Sequence, residues 1–100
     1  MRASSLISVG SAMGRAGKKN ETKKTFSESA KALETVESAG PKAIAYAELG
    51  TATVLYLKNP DAAAEHLQNA EKAAETIELP IMKAGAYAKI MNAYDKSERP

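Results

Sequence analysis

Few side chains in this 100-residue sequence could carry out chemistry. There is no cysteine, which excludes thiolate nucleophiles, thiolate metal sites and disulfides, and there is a single histidine, His66. A catalytic histidine needs a nucleophile or a carboxylate positioned beside it, and no G-x-S-x-G motif occurs. We therefore interpret His66 as an ordinary residue of a helix face. The sequence predicts a protein that is not an enzyme, with no catalytic, cofactor-binding or metal-binding residues.

Two other sequence patterns resemble functional sites, a carboxylate metal site and a phosphate-binding loop, but each lacks residues that such a site requires. Glu34 and Glu37 form a carboxylate pair three residues apart, and Glu75 and Glu78 form another, but a metal site needs further ligands that converge on them. We interpret both pairs as solvent-facing. The glycines and lysines of segment 10–19 lack the first glycine and the final hydroxyl of the phosphate-binding pattern G-x4-G-K-[ST]. They are predicted to serve helix packing and a turn.

Charge is distributed unevenly along the chain. Residues 1–24 hold six basic and one acidic side chain, whereas residues 25–100 hold eight basic and eleven acidic ones. The acidic remainder would repel a phosphate backbone, so nucleic acid is a disfavoured partner.

No apolar run approaches the roughly 20 residues of a membrane span. The acid-free first 20 residues are weakly similar to a transit peptide, which leaves a targeting segment open, and the absence of cysteine is compatible with a cytoplasmic location.

An internal repeat with a period of 41 residues organises the chain. Residues 31–49 and 72–90 are identical at ten of nineteen positions, and the matches include tyrosine, threonine, glutamate and lysine in one register. Alanine accounts for twenty of the hundred residues, which favours closely packed helices over a sheet.

The repeated unit is predicted to be a helix hairpin. Apolar residues recur at spacings of three and four, with Tyr56 on the stripe of the third helix, and no segment alternates as a strand would. Asn20 and Asn59 are candidate N-caps, and Gly40-Pro41 and Leu79-Pro80 mark helix junctions. Short loops make consecutive helices antiparallel neighbours. We predict an all-α fold in one domain, residues 1–100, built as a short antiparallel helix-hairpin solenoid. Its five helices would span 2–16, 20–38, 41–58, 60–78 and 80–96, giving units of roughly 2–40 and 41–79 and an extra helix 80–96.

The repeat resembles the tetratricopeptide repeat (TPR), whose 34-residue unit carries W-x2-L-G-x2-Y, then A-x3-F, then a closing proline. Tyr46-Ala47-Glu48-Leu49-Gly50 is similar to the opening of that pattern, and Ala63-x3-Leu67 and Pro80 are similar to its continuation. The period here is longer, and Thr53 stands where the pattern has tyrosine. The resemblance implies a stack of helix hairpins that binds a protein segment on its concave face.

The resemblance also implies which residues line that concave face, because the first helix of each TPR hairpin forms it. Counting along these helices from Val9, Leu49 and Ile90 gives six partner-binding candidates: Ser11, Arg15, Thr51, Leu55, Asn92 and Lys96. One turn earlier on the same faces we expect Ile7, Ala47 and Ala88. Asn92 and Lys96 are similar in type to the polar and basic residues with which some TPRs hold the carboxylate of a peptide. The first helix carries Ser11 and Arg15 at its groove positions, so this chain does not reproduce the full carboxylate-binding set of those TPRs.

The leading functional hypothesis is a non-enzymatic protein–protein interaction module that binds a peptide or helix in this groove. The first alternative is a scaffold that self-assembles into a homo-oligomer through the outer face of residues 81–96. The second is nucleic-acid binding through the basic N-terminal region, around Lys18, Lys19, Lys23 and Lys24. That alternative predicts a steep dependence of affinity on salt.

Overall fold

A computed structural model describes residues 2–98, with side chains through Ser97. This part of the chain holds five α-helices and no strand, so the predicted all-α fold class is confirmed. A short π-helix, Thr53–Leu57, continues the third α-helix without a break. The α-helices are α1 (Arg2–Arg15), α2 (Lys19–Glu34), α3 (Ala39–Ala52), α4 (Pro60–Glu75) and α5 (Pro80–Glu98).

Helices α1 and α2 pack as an antiparallel pair. The buried Ser29 hydroxyl near the end of α2 donates a hydrogen bond of 3.0 Å to the Ala3 carbonyl at the start of α1. Towards the other end, the Thr25 hydroxyl donates to the Met13 sulfur at 3.6 Å. Between them, Gly10 faces Phe26 so closely that a Cβ on Gly10 would lie 2.5 Å from the ring. The predicted role of Gly10 in helix packing is therefore confirmed.

Helices α3 and α4 form a second antiparallel pair, and α5 lies beside α3. Gly50, late in α3, packs against Leu67 and the Ala63 carbonyl in the first half of α4. Gly40, at the start of α3, lies beside Met82 at the start of α5, so these two helices run in the same direction. Helix α3 contacts all four other α-helices and is the centre of the fold.

The core lies where these helices meet. Its largest fully buried apolar side chains come from α2, α3, α4 and α5 in turn: Leu33, Leu49, Leu67 and Ile90. Buried alanines surround them and let the helices approach closely, and Ala3 and Ile7 bring α1 into the same core.

Two helices end earlier than predicted, at Glu34 and Glu75 instead of 38 and 78. At each end the next residue is a threonine whose hydroxyl turns back to a carbonyl of the last turn. Thr35 donates to the Ala32 carbonyl at 3.0 Å, and Thr76 donates to the Ala73 carbonyl at 2.8 Å. The backbone N–H of each threonine also bonds to that last turn. The repeated threonine thus closes the helix.

Of the residues predicted to begin or end helices, some have the predicted role and others do not. Helix α4 begins as predicted, because the Asn59 side chain accepts a hydrogen bond of 3.1 Å from the Ala62 N–H. The prediction that Gly40 ends one helix and Pro41 opens the next is wrong, since α3 begins at Ala39 and both residues lie in its first turn, where proline loses no helical hydrogen bond. Asn20 is not an N-cap, because α2 begins at Lys19.

The glycines of α3 and α5 predict opposite effects of one substitution. At Gly50 a Cβ would lie 2.7 Å from fully buried Leu67, so Gly50→Ala should lower the free energy of unfolding by about 1–3 kcal/mol. At Gly85 a Cβ would meet none of the described residues within 4 Å, apart from the adjoining backbone of α5, so Gly85→Ala should raise the free energy of unfolding by about 0.5–1 kcal/mol. Urea unfolding followed by circular dichroism measures both changes. Changes of the same sign would contradict the packing described.

Candidate functional site

A cleft of about 410 Å³ lies between α1, α3 with its π-helical extension, and α5. Three helices that are distant in sequence thus contribute to one surface. The six groove candidates all line it: Ser11, Arg15, Thr51, Leu55, Asn92 and Lys96. The remaining lining residues are Ile7, Ser8, Ala47, Glu48, Ala52, Tyr56 and Lys89.

The floor of the cleft is apolar and one side of it is open. Ile7, Ala47 and Ala52 are buried in the core beneath it. Leu55 exposes 55% of its surface, although it is a large apolar side chain. Ala88, which we expected on this face, is exposed elsewhere on α5 and does not line the cleft. A ligand that covered Leu55 would remove apolar surface from water.

One end of the cleft is built from Arg15 and Tyr56. The Arg15 guanidinium donates a hydrogen bond of 3.1 Å to the Tyr56 hydroxyl and lies 6.0 Å from the centre of the ring. The ring packs on Gly14, where a Cβ would lie 2.7 Å from it. These contacts join α1 to the end of α3 and hold the arginine at the cleft mouth.

The π-helix places Tyr56 in this position. Its first residue, Thr53, is buried, and its hydroxyl donates a bond of 2.7 Å to the Leu49 carbonyl one turn earlier. Such bonds to the preceding turn distort helices, and single π-turns are frequent at functional sites. We expected Tyr56 on the apolar stripe of the third helix, and it does pack against the core while also lining the cleft.

The cleft is electropositive. Among the residues that the structure describes, Arg15, Lys89 and Lys96 line it together with one carboxylate, Glu48. Asn92 adds an amide that both donates and accepts hydrogen bonds. The Thr51 hydroxyl donates to the Ala47 carbonyl at 3.1 Å, and its oxygen can still accept from a ligand. The polar groups therefore suit a ligand that carries negative charge beside an apolar side chain.

The chain matches no protein-family model, curated protein or solved structure. What the cleft binds must therefore be inferred from its own side chains.

Sequence reasoning did not select Glu48 and Lys89, which occupy equivalent repeat positions with opposite charge. A charge that changes sign between two aligned repeat positions was the sequence signal that could have pointed to these two residues.

The other charged clusters lie outside the cleft. Lys18, Lys19, Lys23 and Lys24 are exposed at the turn before α2 and along its first turns. Glu34 and Glu37 line a second hollow of about 360 Å³, where Lys42 and Lys72 also lie. Burial, with Glu34 nearby, raises the pKa of the Tyr46 hydroxyl in that hollow. Within residues 2–97, no three histidine or acidic side chains come together as a metal site would require. None of the helices described here is long and apolar enough to cross a membrane.

His66 is half-buried on α4, and burial lowers its pKa below the usual 6.5, with Glu65 partly opposing the shift. The folded protein therefore favours the neutral ring, while the unfolded chain binds a proton more readily. Stability should be fully present above pH 6.5 and should fall as the pH is lowered through 6.5 towards the folded-state pKa. Urea unfolding between about pH 7.5 and pH 5.5 should show this loss, and His66→Gln should reduce it. An identical pH dependence in both proteins would contradict the assignment to His66.

Proposed function

We propose that the protein is a non-enzymatic interaction module that binds a peptide or helix of another protein in the cleft between α1, α3 and α5. The observation that supports this most is the convergence of three helices on one cleft with an exposed leucine and an excess of basic groups. The helical hairpins and their repeated sequence are also what a TPR-like module would have. That resemblance is part of the proposal.

The cleft suits a segment with an apolar residue followed by acidic ones. An apolar side chain would cover Leu55 and reach the floor formed by Ala47 and Ala52. Carboxylates would then meet Lys96 and Arg15, where charge complementarity contributes specificity and speeds association. Because the residues sit on packed helices, the site is preformed, and little ordering would oppose binding.

Affinity capture from a lysate of the source cells tests this proposal. The cleft variant Thr51→Glu, Asn92→Glu, Lys96→Glu lowers the net charge of the site by four units. The matched control Ser27→Glu, Lys31→Glu, Gln68→Glu lowers the net charge equally, at exposed positions of α2 and α4. All three proteins must first show equal helicity by circular dichroism.

We expect a protein partner that the intact chain and the control capture and that the cleft variant does not. A partner captured equally by all three would place binding on another surface and contradict the proposal. Recovery of nucleic acid with a steep salt dependence would instead favour the basic turn around Lys18 and Lys19.

A further inference from the structure

The outer face of α5 carries large apolar side chains that are open to solvent. Ile81 exposes 88% of its surface and Met91 exposes 71%. Between them, Ala84, Gly85 and Ala88 are also exposed. Their spacing of three and four residues places them on one side of the helix. A continuous apolar face of this kind marks an interaction surface.

The equivalent face of α3 is covered within the chain. A shift of 41 residues aligns the α5 positions with Ala43, Ala47 and Gly50, which are all buried. At Gly50 the cover is Leu67 of α4, which fills the space above the glycine. Met91 stands at the equivalent position of α5 and would occupy that space itself. At this position α4 presents the large Leu67, so a partner of α5 must instead present smaller residues to Met91.

We propose that this face is a self-association surface, on which two copies of the chain pair through antiparallel α5 helices. The small residues that Met91 requires are present on α5 itself, at Ala84 and Gly85. Met91 and Ala84 lie seven residues, or about two turns, apart on the same side of the helix. A two-fold axis midway between them places each Met91 on Ala84 and Gly85 of the second copy. Among the described residues, nothing beyond the adjoining backbone of α5 lies within 4 Å of a Cβ at Gly85, so a second backbone can approach there.

Charge complementarity favours the antiparallel direction. The two helix dipoles then run in opposite directions, and Asp95 of each copy comes near the N-terminus of the other α5, where a carboxylate is stabilised. A parallel pair would instead bring the two Asp95 carboxylates together.

The available area indicates a weak dimer. Helix α5 has 19 residues and is about 28 Å long, and one face of it offers less than the roughly 800 Å² per partner of a standard interface. We expect a dissociation constant on the order of 100 µM. Of the α5 residues that line the cleft, Asn92 lies seven residues beyond Gly85 and so borders this face, whereas Lys89 and Lys96 lie further round the helix. The test substitutions are at Ala84 and Met91, which do not line the cleft, so the pairing can hold or fail independently of the proposed function.

Sedimentation equilibrium of the full chain, from about 10 µM to about 1 mM, tests the pairing. Met91→Ala removes the large side chain, and Ala84→Met sets two methionines against each other, so each should weaken dimerisation by about tenfold or more. The double variant Ala84→Met, Met91→Ala exchanges the two sizes across the axis and should restore dimerisation to within about threefold of the original. Both positions are exposed and both residue types favour helices, so helicity should not change.

Val9→Ala is the control, because it removes apolar surface from α1, where Val9 exposes 48%. It should leave the dissociation constant unchanged. A chain that stays monomeric up to about 1 mM would overturn the proposal. So would a double variant that dimerises no better than the single ones, or a control that weakens dimerisation as much as Met91→Ala.

Discussion

Leu67→Ala should lower the free energy of unfolding by about 2–5 kcal/mol, a large part of the roughly 5–15 kcal/mol that stabilises a domain of this size. Leu67 is fully buried, and its methyl groups fill the space above Gly50 that joins α4 to α3. The alanine would leave a cavity between two helices that hold the centre of the fold. Urea unfolding followed by circular dichroism measures the change.

The neighbouring Gln68→Ala is the control, since Gln68 is exposed and its loss should change stability by less than about 0.5 kcal/mol. Adding Gly50→Ala to Leu67→Ala should recover part of the loss, because the new methyl group enters the vacated space. A loss below about 1 kcal/mol for Leu67→Ala, or no coupling between the two positions, would contradict the described contact.

Reversing the charge of the cleft should weaken partner binding by about 10–100-fold at a moderate salt concentration of about 0.1 M. The double variant Lys89→Glu, Lys96→Glu turns a cleft with three basic groups and one acid into one with a single basic group and three acids. An acidic segment would then be repelled as it approaches, so the association rate should fall more than the dissociation rate rises. Surface plasmon resonance with the captured partner separates the two rates.

The matched control is Lys24→Glu, Lys31→Glu, which changes the net charge equally at exposed positions of α2. It should keep nearly all of the affinity, because charges more than a Debye length away are screened at moderate salt. Equal losses in the two variants would show that net charge governs binding, and would contradict a role for the cleft.

Much of the helical framework could be predicted from the sequence, because its signals are local. The proline at residue 60 and the Asn59 cap define the start of α4, and the apolar spacing defines which stretches are helical. The ends of α2 and α4 differ from the prediction, because glycine and proline are the usual stop signals and the helices end before them, at Glu34 and Glu75. The repeated Thr35 and Thr76 were the better signal, since a hydroxyl can bond the carbonyl three residues back.

The cleft could be predicted only in part. Counting along helices selects residues such as Thr51 and Asn92, because the spacing of side chains on a helix face is fixed. It does not predict the π-helix, in which Thr53 bonds to the Leu49 carbonyl and Tyr56 packs against Gly14 of another helix. The Arg15–Tyr56 contact joins residues 41 positions apart and has no local signal.

Photo-crosslinking in cells tests most directly whether the cleft is the binding surface. Benzoylphenylalanine would be placed singly at Ser11, Thr51 and Asn92 in the cleft, and at Ser27, which is exposed on α2, as the control. We predict that the three cleft positions form an adduct with the same protein partner and that Ser27 forms none. An adduct at Ser27 alone, or equal adducts at all four positions, would contradict the account.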